Sequence, residues 1–200
     1  SLHDALPISG NRMDELHYHG QCCEHLGEKL GNQQMAATGH AWQAMVRLRR
    51  GEVDYAYQHM LNSLRRMEQG SSLSHKLATN GVMAFVALRA NEKQVASEQL
   101  DSALKRMARS SAPSSAFLVG YSCMLDAALE LLEHADAAEK PRETKRCQQA
   151  LKQMARFSFV HPIGRPAALI GLGRFLFLQR FSRLAQLCLR TAHTAALKLD

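Results

Sequence analysis

Apolar and small residues recur along this chain at spacings of three and four, the period that places them on one face of an α-helix. In "SLRRM" (63–67), "ALKRM" (103–107) and "ALKQM" (150–154) the same order returns: a small residue, a leucine, two polar residues and a methionine. Forty residues separate Leu64 from Leu104. At that offset Ala56 aligns with Ala96, Met60 with Leu100, Ser63 with Ala103 and Met67 with Met107. Thirteen residues ahead of each leucine the pattern breaks, at Gly51 in "RRGEV" and at Asn91 in "RANEK". Both residue types accept the left-handed backbone that ends a helix. Upstream of the breaks a second amphipathic stretch repeats at the same offset, with Trp42, Met45 and Val46 matched by Val82, Phe85 and Val86. The repeating unit is helix, tight turn, helix.

A third unit, from about Ser114 to Met154, carries "FLVGYSCMLDAALELLE" as its first helix and an enlarged turn around "HADAAEKPRE" (134–143), where Pro141 suits an early helix position. A fourth turns at Arg180–Phe181 and puts Ala185, Leu189, Ala192 and Ala196 where the first has Ala56, Met60, Ser63 and Met67. Residues 11–30 predict one leading helix ending at "LGN", the second half of a repeat. Hairpins are expected at about 33–69, 73–109, 114–156 and 165–199, within a single array over 11–200. A lone helical hairpin cannot hide its apolar face, so successive hairpins stack and share a core. The chain is therefore expected to be all-α, with about nine helices, the three methionines and three leucines being mainly buried.

The small residue just after the turn (Ala56, Ala96, Ala185), the next one seven positions later (Ser63, Ala103, Ala192) and the Leu172–Gly173 pair resemble the tetratricopeptide signature. The units are nearer forty residues than the usual length, Trp42 sits close to its turn, and the proline near each unit's end is missing. The resemblance implies a right-handed helical-repeat solenoid that binds other proteins. Phrases such as "LGNQQMAATGHAWQAMVRLRRGEVDYA" and "RPAALIGLGRFLFLQRFSRLAQLCLRTAHTAALKLD" resemble the C-terminal regions of large bacterial signalling proteins. In those, an AAA-type ATPase module, often with a nucleotide cyclase or protein-kinase domain, precedes the repeats. No catalytic residue of those domains carries over.

Composition narrows the picture without changing it. Hydrophobic residues make up 46% and charged residues 22% of 200 positions, with aromatics at 6%, as in a globular helical protein. The richest apolar run, 165–181, is interrupted by Arg174 and Arg180, and no membrane span is expected. The five cysteines are odd in number and irregularly spaced, which favours a reduced, cytoplasmic protein. Residues 1–10 are expected to be a non-native or disordered leader, because "SLHDALPIS" resembles a translated sequencing adapter. That start, and a last stretch "TAALKLD" without a helix cap, suggest a fragment with apolar surface at its ends that self-associates.

Candidate chemistry is sparse. "HYHGQCCEH" holds His17, His19, Cys22, Cys23 and His25, nitrogen and sulfur donors that zinc accepts, but no second ligand pair, so no metal is expected. "GLGR" (171–174) lacks the third glycine of a dinucleotide fingerprint, and its glycines suit close helix packing. Glu130, Glu133, Asp136 and His134 are scattered by helical spacing. Basic residues gather at Arg47, Arg49 and Arg50, at Arg65 and Arg66, and at Lys105, Arg106 and Arg109, with few aromatics for base stacking. The net charge of +7 permits nucleic acid as a second reading. The leading expectation is a non-catalytic interaction or regulatory scaffold with no cofactor. It would engage a protein partner or upstream domains of the same polypeptide through a surface that includes Arg49, Arg50, Arg89 and Arg174.

Overall fold

The computed structural model describes residues 13–68, 72–107 and 114–199; the leader at 1–10 and Arg109 lie outside them. Among the described residues there are nine α-helices and no strand: α1 (Met13–Lys29), α2 (Gln33–Arg49), α3 (Val53–Glu68), α4 (Leu73–Arg89), α5 (Lys93–Met107), α6 (Leu118–Glu133), α7 (Lys140–Val160), α8 (Arg165–Leu178) and α9 (Ser182–Ala196). Single 3-10 turns, Ser115–Phe117 and Pro162–Gly164, lead into α6 and α8. Consecutive helices pack on one another, and alternate ones also touch, α4 on α6 most extensively, then α6 on α8 and α2 on α4.

Four of the turns share one hydrogen-bonding scheme. Gly31, Gly51, Asn91 and Arg180 all have positive φ, between 60° and 78°. After each, the next amide donates back to a carbonyl five residues earlier: Asn32 to Gly27, Glu52 to Arg47, Glu92 to Ala87 and Phe181 to Leu176, at 2.8–2.9 Å. The left-handed residue itself donates to a carbonyl three back. This doubly bonded ending satisfies carbonyls that a helix terminus otherwise leaves open. The enlarged turn after α6 is built differently, with Asp136 Oδ1 accepting from the Glu139 amide at 2.7 Å and Pro141 in the first turn of α7.

The repeated motif resolves into its parts. Met67, Met107 and Met154 are buried, as are the small residues Ser63, Ala103 and Ala150 four positions earlier. Ser63 Oγ donates to the Ala37 carbonyl at 2.8 Å, which brings α3 against α2. Of the three leucines only Leu104 is buried; Leu64 and Leu151 are partly exposed at the margin of the core. One residue's rotation from the small position carries the leucine about 100° round the helix, so it closes the seam and does not fill it. The fourth unit departs further. Ala185 and Ala192 are buried against α8, whereas Leu189 and Ala196 are exposed, because α9 packs chiefly on α8.

Helices approach closely where side chains vanish. A Cβ on Gly81 would stand 2.3 Å from the Gly120 carbonyl oxygen, and one on Gly120 would stand 2.5 Å from Ala78 Cα, so α4 and α6 touch backbone to backbone. Gly171 and Gly173 are likewise buried, facing Leu125 and Leu189, which is the packing role anticipated for "GLGR". One helical stretch, Ser115–Glu133, is long and apolar enough to cross a membrane by length and composition alone, and 56% of its window is buried inside the fold. Packing of α6 on α4, α7 and α8 accounts for that apolarity.

Candidate interaction groove

The C-terminal halves of α2 and α4 and the first turns of α6 leave a cleft of about 680 Å³ between them. Met45 and Leu48 come from α2, Phe85 from α4, and Leu118, Val119 and Cys123 from α6; Ile163 closes one side. A smaller cavity of about 130 Å³ shares Met45, Ala116 and Val119 with it and brings half-buried Trp42 to the same surface. The volume and apolar lining suit a few anchoring side chains of a ligand. These walls follow from the sequence periodicity: the residues four and three apart that do not face α3 and α5 turn towards the next hairpin's first helix.

Charged groups ring the opening. Arg49 and Arg89 stand at equivalent positions of the first two hairpins, and both line the cleft with Asp126. Arg89 lies over the Phe85 ring, 4.8 Å from its centroid, and pairs with Glu130 at 2.6 Å. Asp126 pairs with Arg174 at 2.6 Å. Burial pushes its carboxyl above the ordinary value, while the Arg174 and Arg89 charges pull it back. Arg49 is exposed and has no ion-pair partner among the described residues. The Cys123 thiol in the wall is pushed up to about 12, chiefly by burial, and so stays protonated.

The four arginines anticipated as one surface are thus divided. Arg49 and Arg89 meet at the cleft. Arg174 reaches its edge only through Asp126 and lines a separate cavity of about 360 Å³ between α8 and α9. Arg50 turns away, pairing with Asp14 of α1 at 2.9 Å. Other basic residues are engaged as well: Arg47 with Glu52 at 2.5 Å and Arg66 with Glu28 at 2.5 Å.

The residues of "HYHGQCCEH" are spread around α1. His19 and His25 are exposed, and Cys22 and Cys23 are half-buried. Nor do Glu130, Glu133, Asp136 and His134 converge, since Glu130 is held by Arg89, His134 Nδ1 meets the Glu130 carbonyl at 2.9 Å, and Asp136 Oδ1 accepts from the Glu139 amide in the turn ahead of α7. Two polar groupings escaped the sequence reading. One is a buried ion pair, Arg146 with Glu143 at 2.9 Å, in which Arg146 also bonds Ser97 Oγ at 2.8 Å and Asp101 of α5. The other gathers Glu24, His40 and His59 from three helices. Glu143 and Arg146 are only three residues apart, but Arg146's other partners, Asp101 and Ser97, lie 45 and 49 residues away, and His40 and His59 are 19 residues apart, so neither grouping has a local signature as a whole. Compared with known proteins, the chain finds no match among family models, among curated proteins or among solved structures.

Proposed function

We propose that this chain is a non-catalytic interaction array, a right-handed solenoid of tetratricopeptide-like hairpins whose first helices take up a segment of another protein or of upstream domains of the same polypeptide. The observation that carries the reading is the apolar cleft between α2, α4 and α6 with Arg49, a cation without an ion-pair partner among the described residues, at its mouth. Such a cleft favours a peptide with two or three apolar anchors and a carboxylate beside them. A bacterial signalling ATPase, cyclase or kinase with a cytoplasmic helical tail is the setting that the sequence resemblance supports. Leu184 and Leu187 on α9 and Leu197 at its C-terminal end are exposed and favour self-association there.

Selection of peptides from a random library on the immobilised chain tests the reading. Enriched sequences should combine apolar anchors with Asp or Glu, and Arg49→Glu should reverse the charge preference while leaving the helical content unchanged. A nucleic-acid interface is favoured less, because Arg47, Arg50, Arg66 and Arg89 are neutralised by carboxylates. Steeply salt-dependent binding to nonspecific RNA or DNA, with no peptide enriched, would establish that second reading in place of the first.

A further inference from the structure

His40 of α2 and His59 of α3 face each other with their Nδ1 atoms 3.3 Å apart. Two nitrogens bound to one tetrahedral ion at about 2.0–2.1 Å each stand roughly that far from one another. Glu24 of α1 supplies a third donor, and one atom from each residue lies within 4.8 Å of the other two. We propose that Glu24, His40 and His59 bind one divalent transition-metal ion of zinc's type at the junction of α1, α2 and α3, independently of the groove.

The surroundings fit that chemistry. Gln43 donates to Oε2 of Glu24, which orients the carboxylate and leaves Oε1 turned towards His40, 3.6 Å from its Nε2. Ligand side chains held in this way by a second layer of hydrogen bonds are a recurring property of metal sites. Burial keeps both rings neutral near neutral pH, as ligation requires, and it outweighs the pull of Glu24 in the opposite direction. His17 adds a separate observation. Its Nδ1 is buried without a hydrogen-bond partner among the described residues, on α1, the helix that carries Glu24.

One residue opposes the ion. Arg66 Nε donates to His40 Nε2 at 3.3 Å, which places the His40 proton on Nδ1, between the two rings. Metal binding therefore moves that proton to Nε2, on the Glu24 side, and displaces the Arg66 contact. Arg66 keeps its bonds to Glu28 and Gln33 at 2.5 and 3.2 Å.

The test is zinc binding to chelator-treated, full-length chain by equilibrium dialysis, with cobalt(II) absorption as a readout of coordination geometry and circular dichroism as a check of folding. The intact chain should take up one zinc at micromolar free metal and show tetrahedral cobalt bands. Glu24→Gln and His59→Gln should each weaken binding by about tenfold or more, whereas a variant with His19→Ala, Cys22→Ser, Cys23→Ser and His25→Ala should bind as before. Arg66→Gln removes the competing donor and cation and should bind more tightly, an effect that a purely structural role for the histidines would not produce. Absence of stoichiometric zinc, or zinc retained by folded His59→Gln but lost from the cysteine variant, overturns the assignment. Weaker binding by folded Arg66→Gln overturns the coordination through Nδ1.

Discussion

Gly81 and Gly120 meet across α4 and α6 with no room for a methyl group between them. The obstacle on each side is backbone, which cannot rotate away as a side chain tip would. Gly81→Val should therefore force the two helices apart. A loss of about 3 kcal/mol or more is expected in urea unfolding, at the upper end of overpacking effects. An unchanged midpoint would mean that the helices do not cross there.

The buried methionines offer a graded comparison. Met154→Ala should cost about 2–5 kcal/mol, as for other large-to-small changes in a packed core, and Met67→Ala and Met107→Ala should fall in the same range. Leu64→Ala, at the half-exposed seam, should cost clearly less. Parallel denaturant titrations of the four variants check this order.

Arg146 and Glu143 form a buried pair at a place where the equivalent position of the earlier units, 56 or 96, holds alanine. Arg146→Met alone should be destabilising by about 3 kcal/mol, because it leaves a carboxylate in the interior. The figure belongs at the low end, since Arg142 still reaches Glu143 Oε1 at 2.8 Å. Adding Glu143→Ala should recover most of the loss, and a double-mutant cycle measures the coupling.

Acid should weaken the fold through its histidines. Burial lowers the pKa of His40, His59 and His75. For His40 the nearby Glu24 and Glu28 oppose the shift and Arg66 adds to it; at His59 the neighbouring His40 ring, Arg47 and His17 add to it and Glu24 opposes it. With folded values depressed, the contribution of these groups is present above the ordinary histidine value of about 6.5 and is lost as pH falls from there through the folded values, where the unfolded chain takes up protons first. The melting temperature of chelator-treated protein should drop between pH 7 and 5. His59→Gln combined with His75→Gln should flatten that slope.

Thiol reactivity separates the cysteines. Burial pushes the Cys123 and Cys147 thiols up to about 12, so both should resist alkylation at pH 8 until the protein is denatured. Half-buried Cys22 and Cys188 should react in the native state, and Cys23, whose thiol burial and the neighbouring Cys22 also push up, should react more slowly than these two. Mass spectrometry of briefly alkylated protein distinguishes the two sets.

Helix ends were legible in the sequence because the backbone demands particular residues there. Gly51 and Asn91 announce a left-handed turn, and Pro141 announces a helix start. Arg180 carries no such signature, and its turn follows only from the repeat spacing. Burial was legible where periodicity gives an unambiguous face, as at Met107 and Ala103. It failed at Leu64 and Leu151, because a period of 3.6 residues does not say how far a neighbouring helix wraps round the edge of a stripe. The cleft was half legible. Arg49 and Arg89 follow from the forty-residue offset, but Asp126 and Cys123 enter through the crossing of α6 over α4, which depends on two glycines meeting in space. The histidine cluster was hidden for a related reason. A helical period assigns His40 and His59 to faces of their own helices and carries no information about which faces oppose.

The four turns built on Gly31, Gly51, Asn91 and Arg180 have a mechanical consequence. Each closes with hydrogen bonds spanning only three to five residues, and each hairpin rests chiefly on the hairpins beside it in the chain. Tension applied between the ends would therefore be met by one helix–helix interface after another and not by a single shared clamp. Pulled in an optical trap, the chain should lengthen in a staircase of small steps, each the release of a helix or a hairpin, and on relaxation should wind back by the same steps in reverse.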